Sequence, residues 1–405
     1  MIVEKTNWVS MTLSEVCDII NGDRGKNYPA KSKLSSKGVY PFISAVNLDN
    51  YSVSTDNLLY LSHEQYERLS NGKIIKGDIA LCIRGSLGKF GFFPFEEGAI
   101  ASSLIILRSK EILNQQFLGY YLKSQTFEYQ LKANDNGIAQ PNIGANKISL
   151  FKISLPKKEE QIRIANELNA VQELFDGYTA QLKDLDILAK SIYYEMFGDP
   201  VNNEKGWKTT KLKNVTKLIT NGNTPKGGEK VYVNDGIMFF RSQNVWRNEL
   251  KLDDIAYIDE ETNSALKSSI LHHNDILITK TGRINTENSS LGRPALFIGE
   301  DNTANINGHV YLVRLTEEVN PIYYLYALLS DSFKELIRNV CVGAIDKRQL
   351  NRTHIEDFPV MLAPIEMQEK FASQVEAIEK QKALLREQLA DAEQLMAERM
   401  QYYFS

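Results

Sequence analysis

Cysteine is scarce in this chain. Cys17, Cys82 and Cys341 are the only three in 405 residues, and no two form a Cys-x-x-Cys pair. An odd, scattered set of thiols builds neither a disulfide framework nor a zinc cluster, and it suits a reducing cytoplasm. Histidine is scarce too: five are present, and the His272-His273 doublet lacks the i, i+4 spacing of a metal pair. No metal site is expected. No apolar run approaches the length of about 18 residues that a membrane helix needs, so no membrane partner is expected. The opening MIVEKTNWVS has no apolar stretch of the kind that a secretory signal carries.

Catalytic signatures are missing as well. There is no Gly-x-x-x-x-Gly-Lys-Ser/Thr loop, which excludes a P-loop ATPase. Gly-x-Gly-x-x-Gly and Gly-x-Ser-x-Gly are also absent. No carboxylate cluster with a nearby lysine suggests a nuclease, and no motif matches an adenine methyltransferase loop. Asp78 in GDIALC and Asp275 in NDILIT read as turn residues before strands. The sequence therefore predicts a non-catalytic chain that binds no cofactor itself. Net charge is -4, from 47 basic and 51 acidic residues, which taken whole speaks against nucleic acid.

What is present is a repeat. WVSMTLSEVCDIINGDRGK from Trp8 matches WKTTKLKNVTKLITNGNTPK from Trp207. YPFISAVNL (40–48) matches IMFFRSQNV (237–245). IIKGDIALCIRGSLGK (74–89) matches SILHHNDILITKTGR (269–283), with LGRPALF (291–297) after a longer loop. FLGYYLKSQTF then matches PIYYLYALLSDSF, and SLPKKEEQ matches LAPIEMQ. From Gln161 and Gln368 to Phe197 and Phe404 the offset stays at 207. Two copies of about 200 residues follow one another.

Each copy ends in a long helical segment. Residues 159–197 hold no proline and one glycine. Leu168, Val171, Phe175, Tyr178, Leu182, Leu185, Ala189, Ile192 and Met196 recur in alternating steps of 3 and 4, an a/d heptad seam. The second seam runs through Val375, Ile378, Leu385, Leu389, Ala392, Met396 and Tyr403, interrupted by Lys382 and Arg399. Pro156 and Pro364 precede the helices, and Pro200 stops the first. About 37 residues of helix span roughly 55 Å. The two seams bury each other most simply as an antiparallel coiled coil. The expected boundaries are a globule at 1–155, a helix at 156–200, a globule at 201–361 and a helix at 362–405.

The charge divides along these lines. Residues 1–155 carry net +3 and residues 201–361 net 0, while the helices carry -4 and -3. Both globules show short β-like runs, followed by helices near 115–131 and 321–338, and read as α+β with irregular, mostly antiparallel sheet. Their loops hold the polar interest. In the first, Arg24, Lys26, Lys31 and Lys33 sit among glycines; Arg84, Ser86 and Lys89 follow; then Gln140, Asn142, Asn146 and Lys147. In the second come Thr224, Lys226 and Lys230, then Arg241, Gln243 and Asn244, then Lys280 and Arg283, then Lys347, Arg348, Gln349 and Arg352. Arginine beside asparagine or glutamine suits base edges, and lysine near glycine suits phosphates.

Two tandem globules, each followed by a long helix, resemble the specificity subunit of type I restriction-modification systems. The carriers are the Trp-x4-Leu-x2-Val start with Ile-x-Asn-Gly or its near form, then GDI-x-x-x-x-RGSLGK, LPKKEEQ and EMFGDP. NTPK, NDILITKTG and APIEMQ carry it in the second half. The first globule has GDRGK where Gly-x-Thr-Pro is frequent, and the second has NDI for GDI. The resemblance implies two target recognition domains in a pseudo-two-fold repeat, reading the halves of an asymmetric bipartite sequence in double-stranded DNA. The helices would set the unread spacer. It also implies two methylation subunits using S-adenosylmethionine on adenine N6, and two restriction subunits using ATP and Mg. A coiled-coil adaptor that binds only protein is the competing class.

Overall fold

The computed structural model describes residues 7–49, 51–134, 141–284, 286, 288–344 and 346–405. They form two compact units: Met1–Thr179 with Glu387–Ser405, and Ala180–Arg386.

The first unit holds a four-stranded antiparallel sheet in the order Cys17–Asn21, Leu104–Ser109, Ile79–Cys82, Phe90–Phe92. A second sheet orders Leu59–Leu61, Tyr40–Ile43, Glu97–Ile100, Lys73–Ile75, and Tyr40–Ile43 runs parallel to Glu97–Ile100. A ribbon pairs Val9–Thr12 with Lys152–Leu155. Ile79 to Cys82 are buried throughout, so that strand is a continuous apolar run with core on both faces.

The second unit repeats the plan. Its antiparallel sheet orders Thr216–Asn221, Val310–Leu315, Ile276–Thr279, Pro294–Leu296. Its other sheet keeps one parallel pair, Ile237–Phe240 with Ala304–Ile306. Thr209–Lys211 pairs with Pro359–Met361.

The repeat reaches single hydrogen bonds. Asp78 accepts from Arg108 Nε and Nη2 at 2.8 and 2.6 Å; Asp275 accepts from Arg314 Nε and Nη2 at 2.8 and 2.7 Å. Both aspartates brace the turn before a core strand, Asp78 through the Ile75 amide and Asp275 through the His272 amide. Gln161 and Gln368, both 0% exposed, accept from the Asn114 and Asn320 amides at 2.8 and 2.9 Å. Buried amides this well satisfied fix where the long helix leaves each globule.

The helices expected near 115–131 and 321–338 are each broken in two. The segments are Gln115–Lys123 and Gln125–Asn134, then Pro321–Leu329 and Asp331–Val340. Ser124 and Ser330 have ψ of 153° and 155°, and their hydroxyls accept from the Phe127 and Phe333 amides at 3.2 and 3.1 Å. Each serine ends one helix and caps the next.

The long helices are Lys158–Phe197 and Ile365–Phe404, 40 residues each. Every residue of the first seam is buried or half-buried. In the first unit, Glu167 Oε2 accepts from the Tyr403 hydroxyl at 2.8 Å, and its Oε1 lies 3.1 Å from Arg399 Nε. In the second, Lys382 Nζ donates to Asp186 Oδ1 at 2.7 Å, while Tyr193 packs on Phe371 at 5.5 Å. In each unit one helix ascends as the other descends, so the pairing is antiparallel. The charged interruptions of the second seam are thus ion-paired. Lys382, with a side chain 5% exposed, meets Asp186 and Glu379 at 2.7 and 2.6 Å and favours one register over its neighbours.

Helix ends become core. Phe404 packs on Phe117 at 5.0 Å, and Phe197 packs on Tyr323 at 4.7 Å. The matching tyrosine-rich helix ends serve matching sockets. All three cysteines are free and buried, and burial pushes the Cys17 thiol up to about 12. Among the described residues no helix is long and apolar enough to cross a membrane, and no cluster of histidine, cysteine and carboxylate side chains could hold a metal.

Candidate nucleic-acid interface

In the first unit, Cys17–Asn21 runs into Gly22, where a Cβ would sit 2.4 Å from the Ala101 carbonyl oxygen. Only glycine allows this approach. The chain then turns through Asp23, 5% exposed, whose carboxylate accepts from the Gly25 and Ser70 amides, both at 2.8 Å. These backbone donors, Gly25 foremost, hold its carboxyl below the usual range. Arg24 is set at the surface beside this turn and donates to the Ser102 carbonyl at 3.3 Å. Desolvation, and after it the positive charge of Arg84, lowers the Arg24 pKa. The fold brings these two arginines together.

Arg84 lies just beyond Ile79–Cys82, opposite Asn142 in an antiparallel bridge. Its Nε donates to Asn142 Oδ1 at 3.3 Å. The Gly85 amide donates to the Pro141 carbonyl, and the Ile143 amide to the Ile83 carbonyl, both at 3.0 Å. Ser86 and Lys89 are exposed in the turn, where the Lys89 amide donates to the Ser86 carbonyl at 3.3 Å. Lys147, on the short helix Ala145–Ile148, donates to the Asn134 carbonyl at 3.4 Å. Asn146 is exposed beside it. Lys26 is exposed too, while Lys31 and Lys33 bound a turn held by Gln65 near the second sheet. Gln140 lies outside the described residues.

In the second unit, Thr281–Gly282, Lys347–Gln349 and Val342–Ala344 form an extra three-stranded sheet. Gly282 pairs with Arg348, and Thr281 with Gln349. This gathers Arg283, Lys347 and Arg348, and Arg348 Nη1 donates to the Cys341 carbonyl at 3.2 Å. Lys280 Nζ sits 5.7 Å from the Tyr311 ring. Arg352 is exposed, but its Nε donates to Glu356 at 2.7 Å, so part of its charge is spent within its own helix. Thr224, Lys226 and Lys230 are exposed on the loop after Gly222.

One expected contact, Asn244, is corrected, and Arg241 and Gln243 have donors partly spent beside it. Asn244 is 1% exposed; its Nδ2 donates to the Lys251 and Asp254 carbonyls at 3.1 Å, and its Oδ1 accepts from the Arg241 amide at 3.0 Å. The Arg241 guanidinium donates to the Asp254 carbonyl and lies 3.1 Å from its carboxylate, which also accepts from Gln243 Nε2 at 3.0 Å. The RSQN run braces a loop, and Asn244 has no amide face left for a base. Asn47, 5% exposed, does the same in the first unit, accepting from the Ser44 amide at 3.0 Å. The matched asparagines in AVNL and SQNV were the available signal.

One cation escaped the sequence reading. The Lys89 carbonyl accepts from the Cys82 amide, and the Arg293 carbonyl accepts from the Thr279 amide, at 2.7 and 3.1 Å. Arg293 therefore holds the place of Lys89. It is 7% exposed, its guanidinium lies 4.0 Å over Trp246, and its Nε donates to the Ser289 carbonyl at 2.8 Å. Burial first, then the charge of Arg247, lowers its pKa. The shared Leu-Gly-Lys and Leu-Gly-Arg runs marked the equivalence.

Comparison with known proteins decides the family. The family described as "Type I restriction modification DNA specificity domain" matches residues 5–185 and again 204–394. The chain belongs to this family. Its two specificity domains thus coincide with the internal repeat. The chain is 22% identical over 378 residues to the type I restriction enzyme MjaVIII specificity subunit of Methanocaldococcus jannaschii, covering 89% of this chain and 84% of that one. It is 23% identical over 395 residues to the StySPI specificity subunit of Salmonella potsdam, covering 92% and 82%. The crystal structure of a type I restriction-modification S subunit from M. genitalium matches with TM-score 0.61 at 15% identity, over 100% of this chain and 98% of that one. At that identity the likeness is one of fold.

Proposed function

We propose that this chain reads DNA sequence for a type I restriction-modification complex and performs no catalysis itself. One observation carries the reading: a chain of a DNA specificity family builds the same exposed, cation-flanked strand end twice. Each specificity domain reads one half of a bipartite target in double-stranded DNA. Their loops differ, so the halves differ and the target is asymmetric. Each long helix begins in one unit and ends in the other, which suits a spacer of fixed length. Two methylation subunits, with S-adenosylmethionine, modify adenine N6 on a base drawn out of the stack. Two restriction subunits, with ATP and Mg, cleave. The assembly works in the cytoplasm.

The test is long-read methylation mapping of DNA from cells expressing the chain with its methylation subunit. A gapped bipartite motif that vanishes on deletion of the chain is expected. A protein-only adaptor would yield no motif and no salt-dependent affinity for duplex DNA.

Base contacts and phosphate contacts separate in this frame. Arg283→Ala is expected to relax one half-site only, losing about 1–3 kcal/mol of discrimination. Lys89→Ala is expected to weaken binding evenly across sequences and to lower the salt slope by about 1. Fluorescence anisotropy of the complex on matched and mismatched duplexes, across a salt series, checks both. Equal loss at both halves for Arg283→Ala would reject its role.

A further inference from the structure

The two specificity domains share a hydrogen-bonded frame that aligns them residue by residue at the cationic strand end. The Gly88 amide donates to the Cys82 carbonyl, and the Gly292 amide to the Thr279 carbonyl, both at 3.0 Å. The next residues match too: the Ile83 amide donates to the Ser103 carbonyl at 3.0 Å, and the Lys280 amide to the His309 carbonyl at 2.8 Å. The crossing segment is held alike, with the Ile143 amide on the Ile83 carbonyl at 3.0 Å and the Leu350 amide on the Lys280 carbonyl at 2.9 Å. One residue further out, Arg84 faces Asn142 in the first domain, and Thr281 faces Gln349 in the second. These pairs occupy one position of the shared frame.

The frame is constant and the pair is not. The Asp-Arg ion pair and the helix-anchoring glutamine recur in both copies. The outermost cross-strand pair changes in both members. It also stands on rigid ground, since Ile83 and Ile143 beneath the first pair and Leu350 beneath the second are at most 1% exposed. Residues directly opposite in an antiparallel pair project from the same face. In the first domain the two side chains are joined, because Arg84 Nε donates to Asn142 Oδ1. That bond leaves the two terminal guanidinium nitrogens and the Asn142 amide nitrogen as outward donors. Donors alone suit guanine, whose major-groove edge offers only the O6 and N7 acceptors. In the second domain the Gln349 amide offers a donor and an acceptor, which suits adenine N7 and N6. The Thr281 methyl suits the methyl of thymine. Lys347, two residues from Gln349 on the same strand and so on the same face, flanks the second pair, where a phosphate would lie.

We propose that this cross-strand pair is a base-reading element of each domain: Arg84 with Asn142 reads a guanine-bearing step of one half-site, and Thr281 with Gln349 reads an A·T step of the other. The assignment rests on the chain being a DNA-reading subunit. The test uses the full chain with its methylation subunits in cells, and maps methylation for three forms. These are wild type, the double change Arg84→Thr with Asn142→Gln, and the double change Thr281→Arg with Gln349→Asn. Each double variant is expected to change base preference at one position of one half-site by about tenfold or more, leaving the other half and the gap intact. A motif unchanged in both variants, or changed in both halves by either, overturns the proposal. Should a double variant fail to fold by thermal unfolding, Asn142→Ala and Gln349→Ala take its place. Each must relax its own half only, and full retained discrimination overturns the assignment. A wild-type complex that leaves no bipartite motif overturns the DNA-reading function and this assignment with it.

Discussion

Replacing Asp275 with alanine is expected to destabilise the second unit by about 3–5 kcal/mol. The carboxylate is fully buried, and it accepts two bonds from Arg314 and one from the His272 amide. Alanine leaves a largely buried guanidinium, whose side chain is 23% exposed, without its counter-charge. It also frees the turn that starts a strand buried along its whole length. Urea unfolding followed by circular dichroism measures the effect. Asp78→Ala should cost the first unit about as much, because Arg108 holds the same geometry there. A loss under about 1 kcal/mol, the worth of an exposed ion pair, would show that these pairs contribute no more than surface ones.

The second large effect concerns the spacer. Inserting one heptad into both long helices, the first within residues 168–196, keeps the seam in phase. Seven helical residues add about 10 Å, or about three base pairs of duplex. Methylation mapping is expected to show both half-sites unchanged and the unread gap lengthened by about that amount. An unchanged gap would reject the helices as the ruler. An insertion that breaks the seven-residue phase would instead rotate Lys382 away from Asp186 and cost stability, since a buried lysine would lose its cross-helix counter-charge and keep only Glu379 of its own helix.

Much of this was legible in the chain. A seven-residue apolar period from Leu168 to Met196 admits few structures other than a paired helix. A repeat with constant offset implies two copies of one architecture. The breaks at Ser124 and Ser330 were not legible, because a serine within an apolar helical pattern is tolerated in a helix as readily as it caps one. The loop chemistry was legible only as composition. Arg241, Gln243 and Asn244 have the residue types of base readers, yet they brace a loop against Asp254. Arg293 was legible as the partner of Lys89 only through the shared Leu-Gly-Lys and Leu-Gly-Arg runs, and the backbone bond from Thr279 places it there.

The sequence by itself determined the two copies and the two helices, because period and order are properties of the chain alone. Tertiary structure decided which polar side chains face outward. That choice depends on partners far away in sequence: Asn142 lies 58 residues from Arg84, and Arg314 lies 39 from Asp275. A polar side chain is free for DNA only when no buried donor or acceptor needs it first, and such competition is settled only once the chain has folded.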